Sequence, residues 1–468
     1  MPSDPTAARA PVEPDADRPE SVAFETAVGA LERLSADLWT PDGPPLAVAA
    51  SGGSDSVGLL VLAARRAAET GRSLRAVTVD HRLRRESADE AAAVARLAER
   101  LGAPHAILRW EEGDRDRLGN LPAAARDARY RLMADWARAE GVAALAVAHT
   151  EDDVAETLLM RLARGSGVDG LAEMRSRASI GTSDGVEIPL LRPCLEVARE
   201  DLRALCRTEG VDWIEDPTNE DPRYDRTLAR KALAALEPLG LDRAGLAATA
   251  RRLRRARTAL EQATEDAIAR SADLCGALGW AALDPGALAE TPREIALRAL
   301  ARLIEWVADA PYPPRLESLE AALDAVLAGA AGRTLHGAVL DPMEDGRWAI
   351  CRELAAVEAP IPVFRADRRF WDRRWRYELG RIETAAFPGP ASELAIGPLG
   401  EAGATALKTL AERDGFEPTA AYAAAPRRAR LTAPALWCDG ALVAAPAAGF
   451  APDRLTARLR RPEIGRTA

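Results

Sequence analysis

Short apolar segments alternate with helical patterns from residue 46 to residue 191. The segments are largely apolar, which predicts strands that are buried on both faces. Helices between such strands predict a parallel sheet covered on both sides, a doubly wound α/β domain whose ligands bind beyond the carboxyl ends of the strands. The predicted strands are Leu46–Ala50, Leu74–Val79, His105–Trp110, Val142–Ala148 and Glu187–Leu191, and the predicted helices are Ser54–Thr70, Ser87–Leu101, Leu121–Glu140 and Glu151–Arg164.

The composition of the remaining segments of the 468-residue chain predicts further domains. Residues 1–22 are rich in proline and acidic residues and predict a flexible leader, so the α/β domain spans residues 23–230. Residues 231–330 are rich in alanine and leucine and predict a helical domain. Residues 331–468 contain short strand-like pieces broken by glycine and proline, which predict a small C-terminal α+β domain.

Composition excludes several classes of protein. Hydrophobic residues make up 48% of the chain and charged residues 29%, a balance typical of a globular protein. The five cysteines include no C-x-x-C pair, which argues against a disulfide framework or a cysteine metal cluster and favours a reducing cytoplasm. No segment has the pattern of a membrane helix or a signal peptide. We therefore expect a cytoplasmic protein with no membrane partner, and no obligate protein partner is evident.

The first predicted strand leads into a glycine-containing turn, residues 51–56, and then into a helix. A glycine pair lets the backbone bend with its N–H groups bare, and the helix start adds positive potential, so the turn suits a phosphate or pyrophosphate. It has neither the lysine of a Walker A loop nor the spacing of G-x-G-x-x-G. Asp55 can hold Mg²⁺, which usually takes one or two carboxylates beside a nucleotide. The alternative is a turn that only caps a helix.

Acidic residues and a histidine gather where the fourth predicted strand ends. His149 precedes a helix that begins near Glu151, and Asp152, Asp153 and Glu156 lie in its first two turns. Residues three or four apart share a helix face, so these carboxylates can act together. Such a cluster can hold an ammonium group and accept a proton from it. The alternative is that the acids simply stabilise the helix start.

The order of motifs over residues 40–230 resembles the PP-loop ATP pyrophosphatase superfamily and, within it, the tRNA(Ile)-lysidine synthetase family. Superfamily members split ATP between its α and β phosphates. The family adenylates the C2 oxygen of the wobble cytidine of tRNA(Ile) and then joins lysine to C2 through its ε-amine, releasing AMP and pyrophosphate. The segments that carry the resemblance are Ser51–Ser56, Val79–Arg84, Asn120–Arg126, His149–Thr157, Leu191–Pro193 and Asp216–Asn219.

The resemblance implies a role for each matching residue. It places pyrophosphate on the turn of residues 51–56, magnesium on Asp55 and lysine on Asp153 and Glu156. It also implies that arginines meet the charge of the adenylate and the nucleotide. The predicted catalytic residues are Asp55, Arg126, His149, Asp152 and Asp153, the substrate-binding residues are Asp153 and Glu156, the nucleotide-binding residues are Ser51, Gly52, Gly53, Ser54, Asp55, Ser56 and Arg192, and the metal ligand is Asp55.

The implied ligands are ATP, Mg²⁺, L-lysine and a tRNA(Ile) with a cytidine wobble base. Three alternatives stay open: a PP-loop enzyme that thiolates tRNA, an amide synthetase, and an inactive nucleotide- or RNA-binding module. The chain also departs from the family pattern at two places. Val154 stands where glutamine is common, and Thr227-Leu228 replaces an asparagine and a basic residue in a stretch assigned to tRNA contact.

Two basic stretches lie downstream, although the net charge of the chain is −10. They are Arg251–Arg257 and Phe364–Arg381, and the second interleaves aromatic residues with arginines. That composition suits phosphate contact and base stacking in RNA. Its near-alternation also suits a half-buried strand whose aromatic rings belong to the core, which is the interpretation we favour for the rings. We expect some of its arginines to contact tRNA, and the family resemblance implies that the C-terminal domain, residues 331–468, binds tRNA.

Overall fold

The structure is a computed structural model. The chain has two compact units, Met1–Arg257 and Thr258–Thr467. Residues 1–18 of the predicted leader lie outside the described residues, whereas residues 19–22 belong to the first helix. Within the described ranges, no helix is both long and apolar enough to span a membrane. The described residues are 19–80, 87–110, 121–172, 174–183, 185–215, 225–310, 313–363, 370–379, 394–451 and 455–459.

The first unit alternates strands and helices, with bounds close to the predicted ones. Its last helix, α9, continues across the boundary between the units. The helices are α1 Pro19–Ser35, α2 Ser54–Thr70, α3 Ser87–Arg100, α4 Leu121–Ala139, α5 Glu151–Leu162, α6 Val168–Leu171, α7 Arg199–Thr208, α8 Asp225–Leu236 and α9 Arg243–Ser271. The strands are β1 Leu46–Ala49, β2 Leu74–Asp80, β3 His105–Arg109, β4 Ala144–Ala146, β5 Arg177–Gly181 and β6 Glu187–Leu191.

The described strands of the first unit form one sheet in the order β3-β2-β1-β4-β6-β5. All neighbouring pairs are parallel except β5 and β6, which form an antiparallel hairpin at one edge. The doubly wound α/β fold is therefore confirmed. The edge strand β5 was not predicted, because its side chains are partly exposed and the segment lacks the apolar character of the inner strands.

Successive residues of β1 serve two separate cores, as expected for a sheet covered on both faces. Leu46 and Val48 pack with α1, α2, α3 and α7 on one side. Ala47 packs on the other side with α4, where Met133 and Ala137 are also buried. The carboxyl ends of β1, β4 and β6 lie side by side and form the carboxyl edge of the sheet, which is distinct from the lateral edge at β5. The predicted site residues follow these strand ends.

The second unit contains antiparallel sheets and helices. Its described strands form sheets in the orders β7-β8-β11-β10-β9, β12-β15-β16-β17 and β13-β14-β18. The helices are α10 Pro285–Ala289, α11 Arg293–Ala308, α12 Leu316–Leu327, α13 Gly400–Asp414, α14 Ala420–Ala424 and α15 Arg427–Thr432. The strands are β7 Ala272–Cys275, β8 Trp280–Leu283, β9 Arg333–Leu335, β10 Ala338–Pro342, β11 Trp348–Arg352, β12 Ile361–Pro362, β13 Phe370–Trp371, β14 Trp375–Leu379, β15 Leu394–Pro398, β16 Pro434–Cys438, β17 Ala441–Ala444 and β18 Leu455–Leu459.

Residues 231–330, for which a helical domain was predicted, contain two strands as well as helices. Strands β7 and β8 lie inside this range, and β8 pairs with β11 from the C-terminal segment. Both strands are short and rich in alanine and leucine, residues that also favour helices, so local composition could not reveal them. The predicted domain boundary at residue 330 stays a prediction.

The arginine- and aromatic-rich hairpin of β13 and β14 belongs to the core of the second unit. Trp371 and Trp375 are fully buried, which agrees with the structural interpretation of the rings. Asp372, also fully buried, accepts hydrogen bonds from Nη2 of Arg352 (3.0 Å) and Nε of Arg374 (2.8 Å). The remaining residues of this basic stretch, 364–369 and 380–381, lie outside the described residues.

Candidate active site

The turn after β1 is braced by its own serines and leaves the start of α2 free. Gly53 precedes the helix with φ −71° and ψ 158°, and no described side chain caps the first amides. The hydroxyl of Ser56 accepts a hydrogen bond from the N–H of Ser51 (3.0 Å) and donates one to the carbonyl of Gly53 (3.0 Å). Ser54 donates to the carboxylate of Asp55 (3.0 Å). The free N–H groups and the helix dipole together suit a phosphate.

Position 52 has two structural requirements that only glycine meets. Its φ of +93° lies in a region that side-chain-bearing residues rarely adopt. A Cβ atom at this position would lie 2.8 Å from Cδ1 of Ile214 and 3.3 Å from Cγ2 of Val94. The N–H of Ile214 also donates to the carbonyl of Gly52 (2.9 Å), so the wall behind the turn is held in place.

Asp153 serves both of the roles considered for the acids of α5. Its Oδ2 accepts hydrogen bonds from the N–H (2.9 Å) and the hydroxyl (3.1 Å) of Thr150, the residue before the helix. This is a capping arrangement, so the helix-capping alternative accounts for one oxygen. The other oxygen, Oδ1, lies 3.5 Å from Nη2 of Arg199 and 3.4 Å from Nη1 of Arg226.

Glu156 is the most deeply buried of these acids, with 1% of its surface exposed. Its Oε1 accepts a hydrogen bond from Nε of Arg230 (2.6 Å) and lies 3.4 Å from Nη1 of Arg199. Its Oε2 is buried and has no hydrogen-bond partner among the described residues. A buried acceptor without a partner costs about 1–3 kcal/mol, more when it is charged, so this oxygen is suited to receive a donor from a ligand.

Arg199, the first residue of α7, joins the acids of α5 to the phosphate-binding turn. Its backbone N–H donates to Oδ2 of Asp152 (2.8 Å), and its Nε donates to Oδ2 of Asp55 (2.9 Å). The structure thus brings together four predicted acids, those at positions 55, 152, 153 and 156, around one arginine. Arg199 could not be predicted from the sequence, because a single arginine at a helix start belongs to no recognisable motif.

The stretch of α8 that departs from the family pattern points its arginines at the acids. Arg226 contacts Asp153 and Arg230 contacts Glu156, since residues four apart lie on one helix face. In this stretch, which the family pattern assigns to tRNA contact, the two arginines thus pair with the acids of the pocket. Asp216–Asn219 and Tyr224, just upstream, lie outside the described residues.

The second departure, Val154, does not remove a polar group from the pocket. Its side chain is 2% exposed and packs with Leu158, Leu195 and Ala250 in an apolar cluster. The acids at positions 153 and 156 face the arginines instead. A valine here stabilises the contact of α5 with α9 through apolar packing.

A second group of side chains at the same edge is cationic. Arg192 directly follows β6, and its Nη1 donates to the carbonyl of Arg175 (2.7 Å). The guanidinium carbons of Arg126 and Arg129 lie 5.1 and 5.2 Å from the ring centre of Tyr130 on α4. In the part of the chain that the structure describes, none of these three guanidinium groups has a carboxylate partner. Three buried nitrogen atoms of the group have no hydrogen-bond partner among the described residues: Nε of Arg129, Nε of Arg192 and Nδ1 of His149.

His149 is held neutral. Burial of the ring is the main cause that lowers its pKa to about 3, and the nearby guanidinium groups of Arg192 and Arg226 add to the effect. At neutral pH the imidazole can therefore donate or accept a hydrogen bond but carries no charge. Its low pKa makes the ring a weak base at neutral pH.

The carboxylates differ in how their surroundings affect ionisation. Burial raises the pKa of Asp55 above its ordinary value, although the ion pair with Arg199 opposes this. Burial also disfavours the ionised form of Asp153, but the guanidinium groups of Arg226 and Arg199 outweigh it and lower the pKa. Burial alone would lower the pKa of Arg199, but the carboxylate of Asp55 and its neighbours raise it. The pocket therefore keeps Asp153 ionised and Arg199 charged.

The donor set fits a magnesium ion that a nucleotide accompanies. Asp55 is partly exposed on the first turn of α2, next to the free N–H groups. Within the described ranges, no group of three or more histidine, cysteine or acidic side chains is placed to hold a metal alone. One carboxylate beside phosphate oxygens is what Mg²⁺ uses in nucleotide sites.

Comparison with known proteins agrees with this geometry. A family model described as a PP-loop domain matches residues 28–237. The tRNA(Ile)-lysidine synthase of Ruegeria pomeroyi is 41% identical over 411 residues, which cover 87% of this chain and 90% of that protein. The chain belongs to the tRNA(Ile)-lysidine synthase family. The tRNA(Ile)-lysidine synthase of Methylobacterium nodulans is 43% identical over 313 residues, 65% of this chain and 90% of that protein.

Membership of the lysidine synthase family confirms the predicted family and its PP-loop domain, and with it the use of ATP. Among solved structures, the U34-tRNA thiolase NcsA of Methanococcus maripaludis covers 50% of this chain and 80% of its own, with 16% identity and a TM-score of 0.42. That likeness is too weak to bear on function.

Replacing Gly52 by alanine in this lysidine synthase family member should weaken ATP binding by about tenfold or more. The methyl group strains the backbone by about 1–3 kcal/mol and presses on Ile214, which displaces the turn. Gly71→Ala is the matched control: it has φ +66° at the other end of α2, and a Cβ meets nothing within 4 Å in the described structure. Calorimetric titration with ATP measures the effect, and equal affinities for the native chain and Gly52→Ala would contradict it.

His149→Gln should reduce the acid sensitivity of the fold. The folded pKa of His149, about 3, lies below the unfolded value of 6.5, so between these values the unfolded chain binds a proton that the folded chain does not. Stability is therefore complete above about pH 6.5 and falls as the pH decreases. Between pH 7 and pH 5, we expect the free energy of unfolding to fall by about 2 kcal/mol less in the variant than in the native chain, measured by urea unfolding. Equal losses would show that His149 is not buried neutral.

Proposed function

We propose that this chain is an ATP-dependent ligase that forms lysidine in tRNA(Ile). The observation that carries the proposal is the pairing of a free phosphate-binding turn with a buried acidic pocket through Arg199. One side of the pairing suits the triphosphate of ATP, and the other suits the ammonium of lysine. Family membership supplies the reaction that uses both.

The first step forms a bond between the C2 oxygen of the wobble cytidine and the α-phosphorus of ATP, and the bond to pyrophosphate breaks. The turn of residues 51–56 holds the leaving pyrophosphate through backbone N–H groups. Asp55 would hold Mg²⁺, which supplies charge neutralisation of the phosphate oxygens. Arg126, Arg129 and Arg192 meet the charge that develops around the α-phosphate, since they face no carboxylate within the described structure.

In the second step the ε-amine of lysine attacks C2 and AMP leaves with the former C2 oxygen. Free lysine is almost wholly protonated near neutral pH, so the amine must pass a proton to a carboxylate of the pocket, which then carries it, before the amine attacks. Asp153 and Glu156 hold the ammonium, and Oε2 of Glu156 is the acceptor left without a partner among the described residues. Burial excludes water from this carboxylate, which strengthens its interaction with the amine. The partners in this proposal are L-lysine and a tRNA(Ile) with a wobble cytidine, which places the reaction in the cytoplasm.

The state of the cysteines favours ligation over thiolation. All five are free, and each lies in a described range. Burial raises the pKa of Cys194 to about 12 and that of Cys206 to about 11. A thiol becomes a good nucleophile through its thiolate, so these two buried cysteines are poor sulfur carriers.

Incubation with ATP, labelled lysine and a tRNA(Ile) transcript should place the label on the wobble cytidine. Asp55→Ala should abolish incorporation, because it removes the magnesium carboxylate, whereas Asp89→Ala, an exposed first-turn aspartate of α3, should not. A transcript with uridine at the wobble position is the substrate control. Release of pyrophosphate without labelled tRNA, or a thiolated base when a sulfur donor replaces lysine, would favour one of the other PP-loop reactions.

Glu156→Gln should raise the KM for lysine by about 10- to 100-fold and leave the KM for ATP within twofold. The amide is nearly isosteric but carries no negative charge, so the contact with the ammonium loses its ion-pair attraction, and hydrogen bonds to a charged group are worth about 1.5–3 kcal/mol. Glu151→Gln is the matched control on the same helix, since Glu151 pairs with Arg251 rather than facing the pocket. Steady-state assays with lysine and ATP varied in turn separate the two effects. An unchanged lysine KM would remove Glu156 from the amino-acid pocket.

A further inference from the structure

Arg199 contacts protein carboxylates that bind two different ligands in the proposed reaction. Its Nε donates to Asp55, the proposed magnesium ligand, at 2.9 Å. Its Nη1 and Nη2 lie 3.4 Å from Glu156 and 3.5 Å from Asp153, the proposed lysine ligands. The side chain is 17% exposed, so the guanidinium group fills space between the two sites.

The three contacts are unequal in length. The bond to Asp55 has the distance of a strong charge-assisted hydrogen bond, whereas the other two are near the upper limit for a hydrogen bond. The backbone of Arg199 is fixed, because its N–H donates to Asp152 at 2.8 Å. A change of partners must therefore come from rotation of the side chain, with the helix start in place.

Charge balance indicates what the guanidinium does while the ligands are absent. The described pocket has balanced charges, because four carboxylates meet four guanidinium groups: Asp55, Asp152, Asp153 and Glu156 on one side, and Arg199, Arg226, Arg230 and Arg243 on the other. A lysine ammonium that enters a neutral pocket gains little, and it is repelled by the guanidinium group at the same carboxylates. The pocket becomes attractive to lysine once Arg199 has turned away.

We propose that Arg199 couples the binding of lysine to the binding of Mg·ATP, an inference that rests on the proposed function. Magnesium competes with Nε for Asp55, and the triphosphate offers the released guanidinium a bidentate phosphate partner beside the same turn. Arg199 then leaves Asp153 and Glu156 to the ammonium of lysine. The nucleotide thus strengthens lysine binding, and by linkage lysine strengthens nucleotide binding by the same factor.

Equilibrium binding of lysine to the full chain tests this coupling without turnover. Calorimetric titrations with L-lysine are made with and without Mg²⁺ and α,β-methylene-ATP, which cannot be split between its α and β phosphates. For the native chain we expect the nucleotide to lower the lysine Kd by about 5- to 100-fold. For Arg199→Met we expect the two Kd values to agree within twofold, and the nucleotide-free Kd to be lower than in the native chain.

Two further variants make the test specific. Arg207→Met removes an arginine from the same helix that pairs with Glu200 at the surface, and it should keep the native coupling. Arg199→Lys keeps the charge but offers a single donor group, and it should reduce the coupling at least threefold. If Arg199→Met does not fold, as judged by its thermal melt, the comparison of Arg199→Lys with the native chain is the test.

The outcomes separate the inference from the proposed function. Native coupling in Arg199→Met or Arg199→Lys, or weaker lysine binding by the native chain in the presence of nucleotide, would overturn the inference while lysidine formation still stood. Absence of lysine binding to the native chain under both conditions would overturn the inference together with the proposed lysine site.

Discussion

Burial of two carboxylates on α5 determines how the edge of the sheet is built. A buried ion costs several kcal/mol unless a partner of opposite charge accompanies it. Asp153 and Glu156 are 5% and 1% exposed, so cations must reach them from other segments. They come from the start of α7 and from one face of α8, and these contacts fix both helices against α5. The packing of this edge and the recognition of a cationic substrate thus depend on the same charges.

The edge of the sheet separates its charges into two regions that match two substrates. The carboxylates of α5 and their guanidinium partners form one region, which suits an ammonium in place of a guanidinium group, and the arginines on α4 and just after β6 form a cationic region that suits phosphate. His149 lies at the junction, and its low pKa follows from burial beside the cationic region. A reaction that joins a cationic amine to an adenylated base needs both regions close together, and the carboxyl ends of neighbouring parallel strands provide that closeness.

Much of the first unit could be predicted because its signals are local. The helix over Ser54–Thr70 has the predicted bounds, since a glycine pair precedes it and Gly71 ends it in a left-handed conformation. Strand β5 and the hairpin of β7 and β8 could not be predicted, because their pairing with distant strands, rather than their composition, makes them strands.

The acids of the site were predicted, whereas the arginines that complete it were not recognised as its partners. The acids follow a strand and fall in a recognisable motif, so their place along the chain reveals them. Arg199 and Arg230 are separated from Glu156 by more than 40 residues, and only the folded chain brings the three together. The role of Val154 was equally hidden, since a helix position beside two acids can face either the pocket or the core.

Arginine takes nearly all of the cationic roles in this chain, which has only two lysines, Lys231 and Lys408. The planar guanidinium group has five donors, so one side chain can contact carboxylates on several elements, as Arg199 does. The same property neutralises Asp372 inside the second unit, where Arg352 and Arg374 flank one carboxylate. An abundance of arginine beside aromatic residues therefore does not by itself indicate an RNA surface. In the described part of this hairpin, Arg373 and Arg376 are exposed, and each also lies within 4 Å of a carboxylate, at 3.9 Å from Glu358 and 3.7 Å from Glu378.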